Sequence, residues 1–304
     1  MFGHKGQIDM RDMKESTVKD EEKILRSSLL IWRGFRRDKA AIVGSLMVLF
    51  ILTIAVFCPL LVPHDPLKTS PKDQLRPPSG EFRLGTDRFG RDQLSRLMYG
   101  TRTSMLISFG SVGIALLVGV FVGLVSGYYG RLLDSIIMRL LDVMFAFPAF
   151  VLALVVVAIA GPSIINLLFT IGFIFSAQVA RVTRGTVLSV KEKEFVEGVR
   201  SVGARDASIM FYFILPNVMA PVIIQATFFL SLAIQTEAAL SFLGLGTQPP
   251  TPSWGLMLNE SQRFMELAPW LAIFPGLAII FGVLAFNLVG DGLRNALDPR
   301  MSQR

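Results

Sequence analysis

Long apolar blocks separated by short polar stretches constrain this chain more than any other feature. A run of about 18 or more apolar residues is long enough to cross a ~30 Å hydrocarbon core as a helix. Inside lipid the backbone must satisfy its own hydrogen bonds, which a helix does within one segment. The blocks predict six spans, at residues 40–61, 101–128, 136–160, 164–180, 218–243 and 270–289. The composition agrees: 17% of residues are charged, against about 25% in soluble domains. The fold class expected is therefore an all-α polytopic membrane protein with six transmembrane helices.

Charge and cysteine usage exclude other classes. The net charge of +7 does not point to nucleic acid, because Lys and Arg lie between the apolar runs, where they set topology. One cysteine, Cys58, allows no internal disulfide, and His4 and His64 are too few for a histidine metal site. No cofactor is expected. No P-loop, G-x-S-x-G or H-E-x-x-H motif occurs, so the chain is not expected to be an enzyme. The first apolar block follows a charged leader and is too long for a signal peptide.

The chain divides into a polar leader at 1–23, expected to be disordered, a segment at 24–98, a membrane core at 99–291 and a tail at 292–304. Leu25, Leu29, Trp32 and Phe35 recur at helical spacing among Arg26, Arg33, Arg36, Arg37 and Lys39, which predicts a basic amphipathic helix lying on the membrane surface. Ten of the thirty Lys and Arg precede Ala40, which places the leader on the cytoplasmic side. Six spans then put both termini there. The loop at 64–98 argues the other way, since its eight basic residues from Lys68 to Arg102 outnumber the acidic ones. Its Gly85-Thr-Asp and Gly90-Arg-Asp read as turns, and Asp92 is placed to cap a short helix through Met98. Pro148 predicts a kink in the third span. Ser111, Ala115, Gly119, Gly123 and Gly127 fall four apart and predict a close-packed helix pair. A short external helix is expected within 256–269.

Residues 191–216 form a polar, helix-forming island between apolar blocks. Ser189 and Glu192 have capping-box spacing. Phe195, Val199 and Val202 predict one narrow apolar face. Gly203 breaks the helix, and Asp206 is placed to cap a second one that meets Pro216. A short helix, a turn and a helix re-entering the membrane make a docking handle; a solvated loop is the plainer alternative. Intramembrane polar residues are functional candidates because they are costly in lipid. Glu237 is the sharpest, with Gln235, Gln178 and Gln225 behind it as pathway candidates. A structural hydrogen bond to a neighbouring helix is the competing role for Glu237. Asn287 and Asp291 share one helical face, where pairing with a basic loop residue is expected.

The island resembles the EAA loop of bacterial ABC importer permeases, whose pattern is Glu-Ala-Ala, three residues, Gly, nine residues, Ile, one residue, Leu-Pro. Glu197, Gly203, Leu215 and Pro216 match in position, whereas Gly198 and Val199 replace the alanines and Phe213 replaces the isoleucine. The segments RRDKAAIVG, LGTDRFGRDQLSRLMYGTRTS, LDVMFAFPAF, EAALSFLGLGTQPPTPSWG and GDGLRNALDPR are similar to the second of the two permeases in dipeptide and oligopeptide importers. The resemblance implies a type I ABC importer permease architecture in the bacterial cytoplasmic membrane, with a cytoplasmic coupling helix. Implied partners are a homologous permease, two cytoplasmic ATPase subunits that hydrolyse the ATP, and an extracytoplasmic substrate-binding protein. The implied coupling residues are Phe195, Glu197, Gly198, Val199, Gly203, Arg205, Leu215 and Pro216.

Two readings compete with the importer. An ion-driven secondary transporter would want several intramembrane acids, and Glu237 is the one convincingly placed. An intramembrane enzyme would want a nucleophile–base pair. Within the importer family, nickel chelates, glutathione-like compounds and peptide antibiotics are alternative solutes.

Overall fold

The computed structural model describes residues 35–36 and 38–297. The leader and most of the amphipathic helix predicted before Asp38 lie outside the described residues, as does the tail beyond Leu297. Among the described residues five helices are long and apolar enough to cross a membrane, and a bent pair makes six if it is taken as one span.

The first helix, α1, is Lys39–Leu61. Asp38 starts it, its Oδ1 accepting from the amides of Ala40 at 2.9 Å and Ala41 at 3.3 Å. Val62 is extended because Pro63 follows it. The next helix, α2, is Gln93–Tyr129. Asp92 does cap it, accepting from the Ser95 amide at 2.9 Å. The helix does not stop at Met98: nothing breaks it before Gly130, so the predicted short helix and the second span are one element. At 37 residues it is about 55 Å long, more than a bilayer core requires.

A correction concerns the third span. Residues 131–160 are not a kinked helix but two, α3 (Arg131–Phe145) and α4 (Ala149–Ala160), meeting at 87°. Pro148 caps α4 rather than sitting within a helix. Acids of α3 hold it to α5 (Ile164–Val190) and to α2: Asp134 accepts from Arg184 of α5 and Ser126 of α2, and Asp142 from Arg181 of α5. Helix α5 continues ten residues past the predicted end at Ala180.

The short helix α6 is Glu194–Ser201. A turn at Asp206–Ser208 and a π-helical stretch at Ile209–Ile214 lead into α7, Leu215–Phe242. Helix α8 is Trp254–Ser261 and α9 is Trp270–Leu297, which also outruns its predicted end.

The helices pack through small residues. A Cβ on Gly119 would lie 2.6 Å from the Ser176 carbonyl oxygen, one on Gly123 2.4 Å from that of Ala180, and one on Gly127 2.9 Å from the Val187 side chain. The small-residue stripe of α2 is thus where the backbone of α5 rests, as its spacing predicts. One apolar core fills the middle of the bundle around Ile107, Ile171, Phe229, Ile234 and Trp254, with Phe175 stacked on Phe229 at 5.0 Å. A second core gathers Leu124, Val187, Val190, Val196, Ile209, Ile214 and Val218 at one end. That end carries residues 191–214 and is called the handle end. The opposite, loop end carries residues 62–92 and α8.

Candidate functional site

The short helix α6 is anchored by its one buried residue, Val196. Val196 is fully buried in the second core, against the ends of α2 and α5 and the π-helical lead into α7. Around it α6 turns most of its residues outward: Phe195 is 40% exposed and Glu197 and Gly198 lie in solvent, as does Val202 just past the helix end at 82% exposed. The predicted face of Phe195, Val199 and Val202 therefore needs correction. Val196 and the half-buried Val199 face the bundle, because the second core lies on that side.

Three further details differ from expectation. Ser189 does not cap the short helix; it belongs to the last turn of α5, and α6 begins after Lys193. The cap position before the second turn is Arg205, which is exposed, while the Asp206 carboxylate accepts from the Tyr128 hydroxyl at 2.6 Å. Pro216 does not end that helix. The chain stays helical from Asp206 to Phe242. The π-helical stretch just before Leu215 and Pro216 lets the Leu215 amide reach back to the Met210 carbonyl, a wider turn that suits a residue lacking its own donor. Leu215 is half-buried and Pro216 exposed.

Gly203 has φ +82°, a conformation that side chains disfavour, and so supplies the turn the sequence assigns to it. Lys191 ties the preceding turn down, donating to the Gly127 carbonyl at 2.9 Å.

Within the membrane-spanning part, Glu237 is fully buried. Ser104 of α2 donates to its Oε2 at 3.0 Å and Ser241 of α7 to its Oε1 at 2.8 Å. The same two hydroxyls accept from the Trp254 amide at 3.3 Å and the Thr247 amide at 3.2 Å. One carboxylate thus gathers α2, α7 and the start of α8. The Glu237–Ser241 spacing was visible in the sequence; Ser104, 133 residues away, was not. Gln235 is exposed, and its amide donates back to the Ser231 carbonyl at 3.2 Å. Gln178 is half-buried. Gln225 lines a cavity of about 580 Å³ at the handle end together with Asn287 and Asp291. Among the described residues Asp291 makes no ion pair, so the expected pairing with a basic loop residue is not seen.

The loop end holds a site that the sequence reading missed. Arg91 donates through Nε to Asp87 at 2.6 Å, and Arg96 through Nη2 to Glu260 of α8 at 2.6 Å. Arg96 Nε also lies 3.4 Å from Asp87. The Arg96 side chain is 1% exposed and that of Arg91 6%. Gly85 and Gly90, at φ +78° and +73°, turn the loop so that Asp87 meets both arginines. The signal was the cluster of charges itself, but its acid partner Glu260 stands 164 residues from Arg96.

Comparison with known proteins fits this arrangement. Residues 119–303 match the family described as binding-protein-dependent transport system inner membrane component. Residues 28–78 match the N-terminal TM domain of oligopeptide transport permease C. The chain is 44% identical over 270 residues to a dipeptide transport system permease protein of Alkalihalophilus pseudofirmus, covering 89% of each. It is 42% identical over 299 residues to a di/tripeptide transport system permease protein of Pseudomonas aeruginosa, covering 96% of this chain and 99% of the relative. A glutathione transport system permease protein of Pectobacterium atrosepticum is 44% identical over 271 residues, 89% of this chain and 90% of that protein. A helical bundle with a short outward-facing helix anchored at one end, matched along nearly its whole length by transport permeases, belongs to the family of inner membrane components of binding-protein-dependent transport systems, with the type I ABC permease fold.

Proposed function

We propose that this chain is one of two permease subunits of an ATP-driven importer of dipeptides or oligopeptides, and that α6 is the handle by which a cytoplasmic ATPase subunit moves it. The observation that carries this reading is the split character of α6: Val196 is locked into the second core while Phe195, Glu197, Gly198 and Val202 are presented outward. A solvated loop would need no such anchor. Gly203 and Arg205 form the turn that joins the handle to α7, and Leu215 and Pro216 stand where it enters the bundle. Movement of α6 is then passed to a helix continuous from Asp206 to Phe242. It shifts the balance between inward- and outward-open states by as much as the ATPase contacts differ between them. Glu237, at the far end of α7, holds that helix to α2 and α8 during the stroke. The chain itself supplies no ATP chemistry.

In this reading the handle end and both termini face the cytoplasm, and an external binding protein meets the loop end. The basic excess of the external loop is weaker than a residue count implies. Arg91 and Arg96 are buried against Asp87 and Glu260, and Arg76 pairs with Asp73 at 2.9 Å. Charges neutralised inside the fold weigh little against ten basic residues before Ala40.

The test is Glu197→Lys or Gly203→Asp in the assembled complex. Both variants are expected to reach the membrane, with ATP hydrolysis uncoupled from uptake; normal uptake by either in a correctly assembled complex would refute the handle. A second reading, a glutathione-like solute, is favoured by the Pectobacterium relative, which is as similar as the Alkalihalophilus one. Uptake of labelled dipeptide against labelled glutathione in a deletion strain separates the two.

A further inference from the structure

The cavity of about 580 Å³ lies between α5, α7 and α9, within the size range of small-molecule sites. Its wall combines three kinds of group. Ile224 and Phe228 are apolar, Gln225 and Asn287 are amides, and Asp291 and Arg294 carry opposite charges. Asp291 and Arg294 stand three residues apart, one beside the other on the surface of α9. They nevertheless make no ion pair with each other or, among the described residues, with any other group. The cavity thus offers an acid and a base that remain open to a ligand.

We propose that this cavity binds the zwitterionic backbone of a short peptide, with Asp291 taking the α-ammonium and Arg294 the α-carboxylate. The proposal rests on the importer reading and places in the permease itself a preference for free peptide ends. In an extended dipeptide these ends are separated by roughly 7 Å, a span that a short acid and a long arginine side chain can bracket. The amides of Gln225 and Asn287 each offer a donor and an acceptor, the complement of a peptide bond. Ile224 and Phe228 take up side chains without reading them, so the site selects the backbone and tolerates varied residues. Both charged side chains are exposed at the handle end, where the mouth of the cavity is open to an entering solute.

The test uses the full complex of this chain, its paired permease and both ATPases in nanodiscs, without the binding protein. Val182→Cys on the α5 wall reports occupancy through its rate of maleimide labelling, read by mass spectrometry of the fragment containing residue 182. Ala-Ala is expected to slow labelling at least tenfold, whereas N-acetyl-Ala-Ala-amide leaves the rate unchanged. Asp291→Asn should make Ala-Ala and N-acetyl-Ala-Ala equivalent, and Arg294→Gln should do the same for Ala-Ala and Ala-Ala-amide. Arg294→Lys keeps the charge and should keep the discrimination, which separates a lost contact from a misfolded complex. Equal protection by free and blocked dipeptide in the Val182→Cys complex, or unaltered discrimination in both charge-removing variants, overturns the proposal. ATP-driven uptake of labelled Ala-Ala, measured with the binding protein added, tests the importer reading separately. Uptake without protection refutes the site alone, whereas protection without uptake refutes the importer and leaves the site.

Discussion

The two ends of the bundle use charge in opposite ways. At the loop end Asp87, Arg91 and Arg96 are buried and paired with one another and with the half-buried Glu260. At the handle end Glu194, Glu197, Arg200 and Arg205 are exposed around a single buried valine. Buried pairs are costly to desolvate and strongly destabilising to break, so they fix one geometry. Exposed charges add little to stability and remain free to meet another surface. The loop end is therefore built to hold a shape, and the handle end to be grasped.

The comparison breaks first at Arg96. Arg96→Ala removes the short hydrogen bond to Glu260 and leaves Asp87 and Glu260 to share Arg91, which should destabilise the protein by about 3 kcal/mol, the low end for a broken buried pair. Thermal unfolding in detergent measures this, and a loss under about 1 kcal/mol would show that the loop end is not held by its charges. Next comes Glu237→Ala, which strands the Ser104 and Ser241 hydroxyls in the core. The expected loss is about 1–3 kcal/mol, with impaired uptake and undiminished ATPase docking. Purified mutant complex moving peptide at the parent rate would make Glu237 structural only.

A smaller effect, of opposite sign, is expected at Gly198. A Cβ there meets nothing within 4 Å, so Gly198→Ala should stabilise α6 by about 0.5–1 kcal/mol. Lower stability in Gly198→Ala would mean that α6 needs the flexibility. At the bottom of the scale, Glu197→Lys should leave the unfolding curve where it was while uptake collapses. That combination, unlike anything expected at Arg96, is the sharpest separation of the two ends.

Reading depth varied with the distance over which each feature is decided. The apolar blocks, the Gly119–Gly123–Gly127 stripe, the Asp92 cap and the Gly203 turn were legible because a helix repeats over four residues and a cap or turn is set by its neighbours. The boundaries were not. Helix α5 runs ten residues past Ala180 because its polar end is held by Asp134 and Asp142 of another helix, and an isolated hydropathy reading sees only Arg181 and Arg184. The 87° break after Phe145 exceeds the kink that Pro148 predicts, because a proline marks a place, not an angle.

The candidate site divides in the same way. The sequence by itself determined that this chain crosses a membrane, that residues 191–216 form a helix–turn–helix island, and that Glu237 is an acid in an apolar span. Tertiary structure alone decided that Val196 rather than Phe195 anchors the handle, that Glu237 meets Ser104, and that Arg96 meets Glu260. The first group follows from hydrophobicity and backbone geometry, which act between near neighbours in the chain. The second depends on which surfaces the packed helices bring together, and a contact across more than a hundred residues leaves no mark in the local pattern.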